Sequence, residues 1–149
     1  MARILVVDDQ PDIRGLLRAI LELQGHVVST AANGGAAIDM LRSDDTLPDL
    51  VLLDVQMPDI DGWDTLTTIR SLFGDFGPRV IMCTVKGAPR DLLHGWMLGC
   101  DGYIWKPFDM KLLVGEIERV LERGLGERAR VRRNAIAEAQ MLVRVSEPR

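Results

Sequence analysis

The chain has 149 residues, 47% apolar and 27% charged, with a formal net charge of −4. That is the make-up of one globular domain, and it argues against global disorder and against a whole surface built for nucleic acid. Two cysteines, Cys83 and Cys100, are too few for a disulfide framework and lack metal-ligand spacing, which points to reduced core thiols in a cytoplasmic protein.

Taken in chain order, the first apolar run is Ile4–Val7, which ends in Asp8 and Asp9 and does not resemble a signal peptide. A helical pattern follows from Pro11 to Gln24, with Ile13, Leu16, Leu17, Ile20 and Leu21 on one side, proline in the first turn and Gly25 past the end. His26–Thr30 reads as a second strand, and Asn33 as the N-cap of a second helix over Gly34–Leu41. Leu50–Leu53 is a third strand that runs into Asp54, and a third helix covers Trp63–Phe73. Arg79–Cys83 is a fourth strand that runs into Thr84, followed by a helix over Pro89–Leu98. Gly102–Trp105 is a fifth strand that runs into Lys106, followed by a helix over Met110–Arg123. No apolar stretch reaches the ~20 residues that span a bilayer.

Several of the strands are nearly continuous in apolar character, as expected where both faces are covered. Strand–helix alternation repeated five times predicts an α/β fold with a parallel sheet between two helical layers. Such sheets place ligand sites beyond the carboxyl ends of their strands. The residues leaving the strands are Asp8, Asp9, Asp54, Thr84 and Lys106. Three carboxylates at one sheet end repel one another unless a cation lies between them, and an all-oxygen donor set selects a hard ion, best Mg²⁺. Lys106 can offset charge on an acyl phosphate, and the Thr84 hydroxyl can donate to one of its oxygens. Taken singly, each has an ordinary reading: helix capping for Asp8 and Asp9, a solvated lysine, a strand-end threonine. Together, at the ends of separate strands, they outweigh it.

These residues carry a resemblance. Val7-Asp8-Asp9, Leu53-Asp54, Met57-Pro58-Asp59-Ile60-Asp61-Gly62, Thr84 and Asp101-Gly-Tyr-Ile-Trp-Lys-Pro-Phe108 occur in order, and residues 2–123 resemble the response-regulator receiver domain of bacterial two-component signalling. The resemblance implies a flavodoxin-like (βα)5 doubly wound sheet with strand order 2-1-3-4-5. It implies that Asp54 accepts a phosphoryl group from a histidine kinase or phosphotransfer protein. It implies Mg²⁺ bound by Asp9, Asp54 and the backbone carbonyl of Gln56, with Asp8 acting through water. Thr84 and Lys106 would hold the phosphoryl oxygens, and Thr84 with Tyr103 would form the switch. Gln56, Val85 and Lys86 occupy positions that tune phosphoryl lifetime. Val85 is bulkier than the small residue usual there, so we expect it to restrict access to the site, and the three residues together to prolong the phosphorylated state. The family's output face is the fourth helix, fifth strand and fifth helix, which also serves homodimers. The receiver itself would catalyse only its own phosphoryl transfer and loss.

Residues 1–124 thus form the expected receiver domain, and residues 125–149 a basic tail with Arg128, Arg130, Arg132, Arg133, Arg144 and Arg149 against Glu127, Glu138 and Glu147. The tail pattern allows one helix over Glu127–Val143 with a weak stripe of Ile136, Ala139, Leu142 and Val143, ended at the latest by Pro148. A solvated extension is its plainest reading; the others are a helix docked on the receiver or on itself, and a contact with nucleic acid or anionic lipid. Two rival classes remain for the whole chain. One is an aspartate-nucleophile phosphohydrolase of the haloacid-dehalogenase type, disfavoured because Asp54-Val-Gln56 lacks a second aspartate. The other is a receiver cut from a longer regulator with a DNA-binding or enzymatic output domain.

Overall fold

The computed structural model describes residues 1–85 and 87–147; Lys86, Pro148 and Arg149 lie outside the described residues, and with them the expected lifetime role of Lys86 and the expected stop at Pro148. Five strands, β1 (Arg3–Val7), β2 (Val27–Ala31), β3 (Leu50–Asp54), β4 (Arg79–Thr84) and β5 (Gly102–Trp105), form one parallel sheet in the order 2-1-3-4-5. Helices α1 (Pro11–Leu23), α2 (Gly34–Ser43), α3 (Gly62–Phe73), α4 (Pro89–Leu98) and α5 (Met110–Glu122) follow the strands in turn, and α6 (Leu125–Ser146) follows α5.

Strand alternation divides the core in two. Ile4, Val6, Leu50, Leu52, Ile81, Cys83 and Ile104 point to one face and pack on α1 and α5 through Leu17, Leu21, Leu113 and Ile117. Leu5, Val7, Val51, Leu53, Val80 and Met82 point to the other and pack on α2 and α3 through Ala37, Leu41, Leu66 and Ile69, with Trp96 of α4 beside them. Both faces are covered, which is why these strands read as unbroken apolar runs. Both cysteines are free and buried, and burial pushes the Cys83 thiol up to about 12.

The caps follow the expected chemistry. The Asn33 side chain accepts from the Ala36 amide, Asp61 from Asp64 and Asp109 from Leu112. Pro11 opens α1 and Pro89 opens α4.

The tail departs from the plainest expectation. It is not a solvated extension: α6 begins at Leu125 and lies along α4. The half-buried Ile136 and Val143 and the buried Ala139 face the receiver, but Leu142 is exposed. The buried stripe opens instead with Arg128 and Arg132. Counting only apolar residues hid it, because an arginine can be buried when its guanidinium finds enough acceptors.

Candidate functional site

The parallel register lines up the strand ends. Val7 is level with Ala31 and Leu53, Asp54 with Cys83, and Thr84 with Trp105. Beyond these ends lies a cleft of about 200 Å³ lined by Asp9, Gln10, Asp54, Gln56, Val85 and Lys106, while Thr84 lines the neighbouring cavity with Gln56, Met57 and Trp63. Asp54 closes β3 rather than following it, and Thr84 likewise closes β4; both are buried.

Lys106 Nζ donates to Asp8 Oδ2 at 2.9 Å and lies 3.3 Å from Asp54 Oδ1. Its backbone N–H donates to the Thr84 carbonyl at 2.9 Å, which ties the lysine to the end of β4, and the Lys106–Pro107 peptide is cis. Asp8 is held on two sides: its Oδ1 accepts from the Gln10 amide, and its carbonyl accepts from Arg14 Nη1 at 2.7 Å. The Gln56 amide approaches Asp54 Oδ1 at 3.3 Å. Asp9 is exposed, yet one oxygen from each of Asp8, Asp9 and Asp54 lies within 4.8 Å of the others, close enough for one ion to touch all three.

The electrostatics follow from this packing. Burial raises the Asp54 pKa from 3.8 to about 6; Lys106 opposes the rise and the Asp8 charge adds to it. For Lys106, burial works against the ammonium, but the hydrogen bond to Asp8 and the charges of Asp54 and Asp8 outweigh it and hold the pKa above the ordinary value. A buried carboxylate kept from full ionisation by its surroundings is the state that a divalent cation would relieve.

The loop after β3 is fixed by close backbone approach. The Gly62 amide donates to the Val55 carbonyl at 2.9 Å, and a Cβ on Gly62 would run into the Asp54 carbonyl. Only glycine fits there. Asp59 takes the left-handed φ of 67°, which aspartate tolerates better than most residues.

Tyr103 lies under α4. Its hydroxyl donates to the Asp91 carbonyl at 2.9 Å and to Leu92 at 3.3 Å, while Trp105 stacks on its ring and Trp96 meets it edge-on. Gly95 makes room for it: a Cβ there would run into the hydroxyl and stand 2.8 Å from Cζ.

Sequence reasoning left out a second cluster, at the opposite end of β5. Asp101 is buried and receives three guanidiniums, from Arg70 at 3.0 Å, Arg128 at 2.9 Å and Arg132 at 3.3 Å. One carboxylate cannot neutralise three cations, and carbonyl oxygens meet the remaining donors. Arg70 reaches Gly99 and Pro78, Arg128 reaches Phe76 and Gly77, and Arg132 reaches Cys100 and Asp75. The Phe76 ring lies under Arg128 and Arg132. The available signal was the spacing of Arg128 and Arg132, one helical turn apart on one face.

Comparison with known proteins agrees with this geometry. The sequence matches the response regulator receiver domain over residues 4–118. It is 42% identical over 123 residues to the transcriptional regulatory protein CpxR of Escherichia coli, covering 83% of this chain and 50% of that one. It is 38% identical over 119 residues to the chemotaxis protein CheY of Halobacterium salinarum, covering 80% of this chain and 96% of that one. The response regulator TrrA of Thermotoga maritima, solved in complex with Mg²⁺-BeF, superposes with a TM-score of 0.70 at 36% identity, covering 80% of this chain and 99% of that one. The chain spans about half the length of CpxR. With five parallel strands in the order 2-1-3-4-5 and an acidic cleft at their ends, the chain belongs to the response regulator receiver domain family.

Proposed function

We propose that Asp54 is the phosphoacceptor of a two-component switch. An Asp54 carboxylate oxygen attacks the phosphorus of a phosphohistidine on a sensor kinase or phosphotransfer protein. The new O–P bond forms as the P–N bond breaks, and the imidazole leaves with the electron pair and is protonated by solvent. The observation that carries this reading is Lys106 Nζ spanning Asp8 and Asp54 across the sheet. On phosphorylation the ammonium would turn to the phosphoryl oxygens, and the Thr84 hydroxyl would serve a second one.

The donor set fits Mg²⁺: three carboxylates within one ion's reach, with a raised Asp54 pKa that a cation would lower. Asp8, Asp9, Asp54 and the Gln56 carbonyl are its proposed ligands; when bound, the ion would neutralise charge on the transferring group. TrrA, similar in fold, was solved with Mg²⁺-BeF. Val85 is 58% exposed and lines the cleft, consistent with a role in limiting access to the aspartyl phosphate.

The switch is the expected one, with Thr84 drawn to the phosphate and Tyr103 held inward behind it. Output passes to a protein partner, in a cytoplasmic setting. Both a stand-alone receiver and the receiver of a longer DNA-binding regulator fit, since the chain covers nearly all of one relative and half of another. Because α6 lies on α4, a homodimer using the whole α4–β5–α5 face would require α6 to move.

The test is intact mass after incubation with a phosphorylated histidine kinase and Mg²⁺. Wild type should gain one phosphoryl group and Asp54→Ala none. Phosphorylation of Asp54→Ala, or sustained turnover of a small phosphate ester by wild type, would sink the reading.

A further inference from the structure

We infer that α6 is an intramolecular clamp that fixes α4 over Tyr103, with Arg128 and Arg132 as positioning residues acting through Asp101.

Helix α6 runs antiparallel to α4 and grips it at both ends. At the carboxyl end of α4, Arg132 Nε donates to the Cys100 carbonyl at 3.2 Å, and Arg128 and Arg132 both reach Asp101. At the amino end, Glu147 takes both Arg90 Nε and Nη2, the shortest contact being 2.8 Å. Between the two, the buried Ala139 lies at the contact with α4, where a small side chain permits close approach.

Both grips border Tyr103. Asp101 stands two residues before it in the chain. The Asp101 carboxylate also accepts from the Val80 amide at 3.0 Å, so it anchors the start of β5 to β4. Arg90 precedes Asp91, whose carbonyl accepts the Tyr103 hydroxyl. The first turn of α4 accepts the tyrosine hydroxyl and the start of β5 carries its backbone, and α6 is bound to both. Release of α6 and outward movement of Tyr103 are therefore one coupled transition. This part stands on contacts alone. Its extension to signalling rests on the proposed role of Asp54: a phosphoryl group that favours the inward tyrosine would also favour docked α6, and docked α6 would favour the phosphorylated state by the same factor at equilibrium.

Tyr103 is the only tyrosine in the chain, so 3-fluorotyrosine gives a single ¹⁹F resonance. The variant is Ala139→Glu combined with Glu147→Arg, which places charge against α4 and repels Arg90 while substituting no residue of the sheet or of the Asp101 cluster. Hydrogen exchange of the α6 amides reports release, and the fluorine spectrum reports the tyrosine. The expected result is exposed α6 amides together with a shifted or exchange-broadened fluorine line, and a ratio of phosphorylated to unphosphorylated protein, at equilibrium with the phosphohistidine donor, lowered by ~5-fold or more. A fluorine line unchanged in a variant whose α6 is released would overturn the clamp. So would amides of the second half of α6 that stay protected, because the Ala139 contact and the Arg90–Glu147 pair would then hold nothing in place. Wild type that takes no phosphoryl group would refute the role of Asp54 instead, and the fluorine result would still decide the clamp.

Discussion

Arg128 and Asp101 meet in a two-point ion pair, Nε to Oδ1 at 2.9 Å and Nη2 to Oδ2 at 3.2 Å, with both side chains almost wholly removed from solvent. Removing the carboxylate leaves three guanidiniums facing one another, whereas removing Arg128 leaves the carboxylate with two partners. Asp101→Ala should therefore destabilise the protein by about 3–5 kcal/mol and Arg128→Ala by clearly less. Urea unfolding of the two variants at pH 7.5 checks the order; equal losses would mean that the cluster does not share its charge as described.

Asp54 supplies a pH signature. Its folded pKa, near 6, lies above its ordinary 3.8, so the folded state binds the extra proton between those values. For a raised carboxylate, stability is highest below the unfolded pKa and is lost as pH rises through the folded one. Asp54→Asn should thus gain about 2–3 kcal/mol over wild type at pH 7.5 without divalent cation, and little at pH 4. Chemical denaturation at the two pH values measures this, and a gain equal at both would rule out titration as its source.

Mg²⁺ should remove most of that difference. A ligand that binds only the folded state stabilises it by RT ln(1 + [L]/Kd), about 2.7 kcal/mol at a hundredfold excess over Kd. Thermal melts of wild type should rise with Mg²⁺, and those of Asp9→Asn much less. A similar rise in Asp9→Asn would take that residue out of the ligand set.

Lys106 pairs with two carboxylates at once. Lys106→Met should cost about 1–3 kcal/mol at pH 7.5 without metal, and less at pH 5, where Asp54 is largely protonated. Unfolding curves at both pH values distinguish this from a simple packing defect, whose penalty would not change with pH.

Gly95→Ala tests the space under α4. Helix propensity alone favours alanine by about 1 kcal/mol in a helix interior. Overpacking against Tyr103 reverses the sign, with a net loss of about 1–3 kcal/mol. Tryptophan emission should also change, because Trp96 and Trp105 flank the displaced ring. A more stable variant would show that the pocket is looser than its geometry.

The sheet and the acidic cleft were legible because each has a local signature. Unbroken β-branched runs marked the strands, and polar residues at their ends marked the cleft, since a parallel sheet aligns those ends without further information. Helix boundaries came within a few residues, set by Asn33, Pro11 and Pro89. The Asp101 cluster was not legible. Arg70 comes from α3 and Arg128 and Arg132 from α6, far apart in sequence, and burial of arginine depends on carbonyls that only the folded loops present. The tail stripe was misplaced for the same reason: Leu142 fitted the apolar pattern, but the docked face had already been set by two cations.

Strand β5 has only four residues. It is bounded by Asp101 at one end and Lys106 at the other, a span of ~16 Å at the rise of an extended chain. So short a strut, hydrogen-bonded to β4 along its length, has no slack in which its two tips could move independently. A cargo attached behind α6 would load this strut through the arginines, and the load would arrive at the lysine ammonium.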